Sequence, residues 1–91
     1  MQRDEVLEGL ADVAVELLGV EREAVTPEAR FEEDLGVDSL GLVEIVMAVE
    51  DRFDLTIGED RLEGVTTVGQ AADVVLDVAG AAEDAPAEAG A

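Results

Sequence analysis

Ninety-one residues, 48% hydrophobic and 32% charged with a mean hydropathy of +0.18, suit one small soluble domain and leave no length for a second. Five arginines against twenty-four Asp plus Glu give a formal charge of −19, which repels nucleic acid and anionic membrane alike. With no Cys, His, Lys, Trp, Tyr or Asn and a single Ser, the chain lacks the parts of a disulfide, a thiolate zinc site, a Ser/His or Cys/His pair or a Schiff-base lysine; carboxylate, Thr and Ser39 remain, and no catalytic residue or dedicated metal site is expected among them.

Two Phe are the only aromatic residues, which points to an aliphatic core of the kind a helical bundle fills. Val6, Leu10, Val13 and Leu17, flanked by Leu7, Ala14 and Leu18, recur at steps of three and four and predict a first helix over roughly residues 3 to 18. Asp4, Glu5 and Glu8 complement the dipole of its first turns, and Gly19 offers the stop. The pattern then breaks into a long connection, 20 to 38, in which Thr26-Pro27-Glu28-Ala29 predicts one short turn. Phe31 and Leu35 stand as isolated anchors in that acidic stretch, so the loop should be pinned and ordered.

Helical periodicity resumes from Ser39 to Phe53. A short helix is predicted from Glu59 to Glu63, closed by Gly64, and a last one opens at Thr67, where Gln70 three residues on completes a capping box. Val68, Ala71, Ala72, Val75, Leu76 and Ala79 form its apolar stripe. Residues 81 to 91 contain no large apolar side chain and are expected to be a disordered, acidic, Ala-rich tail after a domain spanning 1 to 80. The predicted fold is all-α, a four-helix bundle of three main helices and one short helix with a long first loop. No secretory signal and no apolar run of about 18 residues is present, which suggests a cytoplasmic protein.

The second helix carries more apolar surface than one face needs. At about 100° per residue, Leu42, Ile45, Val46, Val49 and Phe53 share one arc, while Leu40, Val43 and Met47 form a separate patch bordered by Glu44, Glu50 and Asp51. Either the helix is buried on two sides and both stripes are core, or the patch is a docking surface with apolar contact for affinity and charge for steering. Ser39 is equally open to two readings. It can serve as the N-cap of this helix, a role whose loss costs about 1 kcal/mol. Alternatively, the free N–H groups and positive dipole end there favour a phosphate ester on its hydroxyl.

Leu35-Gly36-Val37-Asp38-Ser39-Leu40, followed by Val43-Glu44-Ile45-Val46-Met47 and Glu50-Asp51-Arg52-Phe53, resembles the acyl carrier protein family. The likeness extends over residues 1 to about 79, through Phe31 before its acidic pair, Ile57, and Thr66-Thr67-Val68. It implies that Ser39, preceded by Asp38, is esterified with 4′-phosphopantetheine from coenzyme A by a phosphopantetheinyl transferase using Mg²⁺. The thiol of that arm then carries acyl cargo as thioesters. The same resemblance makes Leu40, Val43 and Met47 apolar partner contacts and Glu44, Glu50 and Asp51 acidic ones, for acyltransferase and ketosynthase-type enzymes with basic surfaces. It places the shelter for acyl chains near Leu42, Val46, Ile57, Val65 and Ala71, and implies a monomer that is not itself an enzyme. Arg52 stands where many relatives have an acid, and Gly41 is an unusual choice in a first helical turn.

Within this class, peptidyl or aminoacyl carriers use the same arm, but they usually carry two glycines before the residue preceding the serine, where this chain has Gly36-Val37. The departures at Gly41 and Arg52, the acidic tail and a composition typical of G+C-rich coding favour polyketide or other specialised synthesis over fatty acid synthesis. A different class, a small acidic cation-binding protein, would use carboxylates such as Glu32, Glu33 and Asp34, although no EF-hand spacing is present.

Overall fold

The computed structural model of the chain describes the backbone of residues 2–89, and the side chains within that range except those of 59 and 81–89. Helix α1 spans Arg3–Leu18, a 3₁₀ turn follows at Arg22–Ala24, and α2 spans Ser39–Phe53. The short α3 covers Glu59–Leu62 and α4 covers Val68–Ala89. Among the described residues the only extended pairing is one antiparallel bridge between Arg30 and Thr67.

Both α2 and α4 pack on α1. Val6, Leu10 and Val13 from α1 meet Ile45 and Val49 from α2 and Val68, Ala72 and Val75 from α4, all buried. In the last turn of α1, Leu18 rather than Leu17 packs on this core, and Leu17 is exposed. Adjacent residues differ by about 100° around a helix, so only one of the two leucines can face inward before the chain turns off at Gly19. That glycine takes the left-handed conformation (φ 69°) and its N–H donates to the Val15 carbonyl.

The long first loop is stitched to the start of α4. Thr26–Ala29 closes the expected turn, with the Ala29 N–H donating to the Thr26 carbonyl at 3.0 Å. The Phe31 N–H then donates to the Thr66 carbonyl (2.9 Å) and the Val68 N–H to the Ala29 carbonyl (3.0 Å). Phe31, Leu35 and Val37 are buried beneath it. These cross-links satisfy loop amides that burial would otherwise leave unpaired. Thr67 and Gln70 form the capping box: the Gln70 N–H donates to Thr67 Oγ1 at 3.2 Å, and the Thr67 N–H to Gln70 Oε1 at 3.0 Å.

Two elements depart from the pattern read in the sequence. The 3₁₀ turn at Arg22–Ala24 lies in a polar stretch without apolar period, so periodicity could not reveal it. The second departure is at the end of α4, where composition places a boundary at Gly80 and a disordered tail beyond it. The helical backbone instead runs on to Ala89. Extending an existing helix needs no new nucleus, and the five alanines from 81 to 89 favour it, while Pro86 within this stretch opposes it by withholding an amide. Of the expected tail, residues 90 and 91 lie outside the described residues.

Candidate functional site

The N-terminus of α2 assigns different tasks to two adjacent residues. Asp38 is the N-cap, with extended backbone (φ −85°, ψ −178°), and its Oδ1 accepts the Gly41 N–H at 2.7 Å. Its carbonyl accepts the Leu42 N–H at 2.9 Å. Ser39 is therefore the first residue of the helix and is exposed. The capping role open to Ser39 on sequence grounds belongs to Asp38, and the serine hydroxyl is left available at the positive end of a fifteen-residue helix. Gly41 suits this cap, because a β-carbon there would stand 3.1 Å from Val37 Cγ1 and 3.3 Å from Asp38 Oδ1.

Beside Ser39 opens a cleft of about 220 Å³, lined on its inner side by Phe31, Val37, Leu42 and Val65 and at its rim by Glu32 and Thr66. Phe31, Leu42 and Val65 also wall an apolar cavity of about 20 Å³ in the interior. The five residues expected to shelter a chain, Leu42, Val46, Ile57, Val65 and Ala71, all line that cavity. At this volume it is about the size of one water molecule, so an acyl chain requires its walls to part.

The second apolar stripe of α2 is not core. Leu40, Val43 and Met47 are 69%, 48% and 61% exposed, whereas Ile45 and Val49 on the opposite arc are each 2% exposed. Val43 and Met47 border an outer groove of about 260 Å³ that Val46, Glu50, Ile57 and Leu62 complete between α2 and α3. Glu44 and Asp51 flank the stripe and are exposed. Glu50 differs from both: it is half-buried, and its Oε2 accepts the Ile57 N–H at 2.6 Å.

Arg52, the residue out of place in the acidic border, donates from Nη2 to Asp12 Oδ2 on α1 at 2.7 Å. Asp12 also pairs with Arg22 of the 3₁₀ turn. The Arg22 hydrogen bond holds the Asp12 carboxyl below the usual aspartate range; desolvation opposes it, and the charges of Arg22 and Arg52 assist it. Arg52 thus joins α2 to α1 and does not stand as a free cation in the acidic border. This contact spans forty positions in sequence, and no local signal predicts it.

A helical bundle that holds one serine hydroxyl free at a helix N-terminus, beside a cleft and an exposed apolar face with acidic flanks, has the makeup of a covalent carrier domain. Residues 8–75 match the family described as the phosphopantetheine attachment site. An acyl carrier protein of Rubrobacter xylanophilus is 43% identical over 77 residues, covering 85% of this chain and 95% of that protein. One from Saccharopolyspora erythraea is 41% identical over 78 residues, covering 86% and 82%. A meromycolate extension acyl carrier protein of Mycolicibacterium smegmatis is 39% identical over 89 residues, covering 98% and 87%. The chain belongs to the acyl carrier proteins, and membership implies a covalently attached 4′-phosphopantetheine. The residues present fit that group: an exposed hydroxyl not needed for capping, a helix dipole that favours its phosphate, and a cleft next to it.

Proposed function

We propose that Ser39 is the attachment point of the arm and that the protein carries acyl intermediates between partner enzymes without catalysing their conversion. The observation that carries this reading is the division of labour at the head of α2, where Asp38 closes the helix and Ser39 Oγ stays free. When bound, the arm supplies a thiol that holds acyl groups as thioesters. The polypeptide has no Cys, His or Lys with which to attack such a thioester, as suits an inert handle. Asp38 holds the serine in place through the cap. Leu40, Val43 and Met47 offer the partner-facing apolar surface, with Glu44, Asp51 and the second carboxylate oxygen of Glu50 as its acidic flank.

The partners that fit this surface are a phosphopantetheinyl transferase and acyltransferase or ketosynthase-type enzymes with basic entrances, drawn by a charge of −19. The reading places the carrier in the cytoplasm, which supplies coenzyme A, and as a monomer. Gly41 and Arg52 support service in polyketide or other specialised synthesis. The likeness over 89 residues to the meromycolate extension carrier favours a second reading, extension of long acyl chains.

The test is intact mass after incubation with coenzyme A, Mg²⁺ and a transferase. One added arm on the wild type and none on Ser39→Ala is expected. A wild-type protein that stays bare, or a Ser39→Ala variant that still gains the arm, overturns the assignment.

A further inference from the structure

Glu50 makes three contacts that together define how the chain leaves α2. Its backbone carbonyl accepts the Asp54 N–H and, at 2.9 Å, the Leu55 N–H, and its carboxylate accepts the Ile57 N–H at 2.6 Å. Asp54, the C-cap of α2, takes the left-handed conformation (φ 56°), the only non-glycine residue to do so among those described. The segment so fixed delivers Ile57, 8% exposed, to the wall of the interior cavity. Together with Val46 and Leu62, Ile57 separates that cavity from the outer groove.

The remaining walls differ in stiffness. Leu10, Ile45, Val49 and Val75 come from α1, α2 and α4, each a helix of fifteen residues or more. Ile57 and Leu62 come from the connection around α3, which has four residues and leans on α4 through the Arg61–Asp77 ion pair. A helix of one turn has almost no internal hydrogen bonding of its own. A hydrogen bond to a half-buried carboxylate is stronger than a neutral one, so the Glu50 contact is a principal restraint on the wall best able to yield.

We infer that Glu50 is a positioning residue for the acyl chain: by holding the Ile57 amide it sets how far the interior cavity widens, and so which chain lengths the carrier shelters. This rests on the carrier reading. It gives Glu50 an inward task distinct from the partner contact expected of its position.

Glu50→Ala removes the acceptor and Glu50→Gln keeps one. Amide exchange at Ile57 in the unmodified full chain should quicken about tenfold in Glu50→Ala, the equivalent of one net hydrogen bond, and by less in Glu50→Gln, which keeps a neutral acceptor. The second readout is thioester cleavage by hydroxylamine on protein loaded with hexanoyl or dodecanoyl groups. Protection of dodecanoyl relative to hexanoyl should rise about threefold or more in Glu50→Ala, with Glu50→Gln falling between that variant and wild type. Unchanged Ile57 exchange in Glu50→Ala overturns the inference, as does faster exchange with an unaltered chain-length ratio. A Glu50→Gln variant that behaves like Glu50→Ala also overturns it. A wild type that gains no arm fails the carrier reading instead, and is recognised by mass before any thioester is made.

Discussion

The ring of Phe53, at the end of α2, lies against the bare backbone of Gly9 in the middle of α1: a β-carbon on Gly9 would stand 2.3 Å from Cζ and 2.8 Å from Cε2. Glycine in a helix interior costs about 1 kcal/mol relative to alanine, so on propensity alone Gly9→Ala would stabilise the protein. The contact reverses that sign. Overpacking of this kind costs about 1–3 kcal/mol, and Gly9→Ala should lower the melting temperature. A variant that melts higher than wild type would show that the ring swings aside at no cost and does not fix how α2 meets α1.

The cap assignment makes a paired prediction at the head of α2. Asp38→Ala loses the acceptor of the Gly41 N–H and should destabilise the fold by about 1 kcal/mol in a denaturant titration. Ser39→Ala, at an exposed position that does not supply the cap, should stay within about 0.5 kcal/mol of wild type while losing all modification. If the two costs exchange places, Ser39 is the true cap and its availability for an ester is in question.

Much of this arrangement is legible in the sequence because it is local. The bounds of α1 and α2 follow from apolar steps of three and four that stop at Gly19 and resume at the Asp38-Ser39 pair, and the Thr67/Gln70 capping box is a signal four residues long. The exposed stripe of Leu40, Val43 and Met47 follows from helical geometry once Ile45 and Val49 are assigned inward. Which of Asp38 and Ser39 caps the helix does not follow, since both residue types suit the role and only backbone position separates them. Glu50 reads as a surface acid because its hydrogen bond to Ile57 depends on the left-handed turn at Asp54, an unusual conformation for a residue other than glycine. Contacts such as Arg52 with Asp12 and Arg3 with Asp73 join distant positions and exist only once the helices have packed.

Asp12 leads to a prediction in pH. Its carboxyl titrates below the ordinary aspartate value because Arg22, and secondarily Arg52, favour the charged form. The folded value is depressed, so the contribution of Asp12 is fully present above the unfolded value of about 3.9 and is lost as pH falls through the folded one. Against this, acidification relieves the self-repulsion of a chain of charge −19. Comparing wild type with Asp12→Asn removes the shared background. The variant should melt lower at pH 7, by an amount that holds to about pH 4 and closes below it. A gap that persists unchanged well below pH 3 would mean that the deficit comes from packing, with no role for charge.

The apolar stripe of α2 should matter to partners and not to the fold. Met47 is 61% exposed and Leu40 69%, so Met47→Gln and Leu40→Gln should each leave stability within about 0.5 kcal/mol of wild type. On the proposed docking role the same side chains would be buried in a partner complex, where loss of a central apolar contact costs about 1 kcal/mol or more. Transfer of the arm by the transferase should therefore slow by about fivefold to tenfold in either variant. The steering proposed for Glu44 and Asp51 would act at longer range, screened within about 10 Å at 0.1 M salt. Raising ionic strength should accordingly slow transfer to wild type and to the Gln variants by similar factors, while Glu44→Gln and Asp51→Asn flatten the salt dependence. Transfer rates indifferent to Met47→Gln and Leu40→Gln would place partner docking on another face, and the exposed stripe would then lack the role its position on α2 suggests.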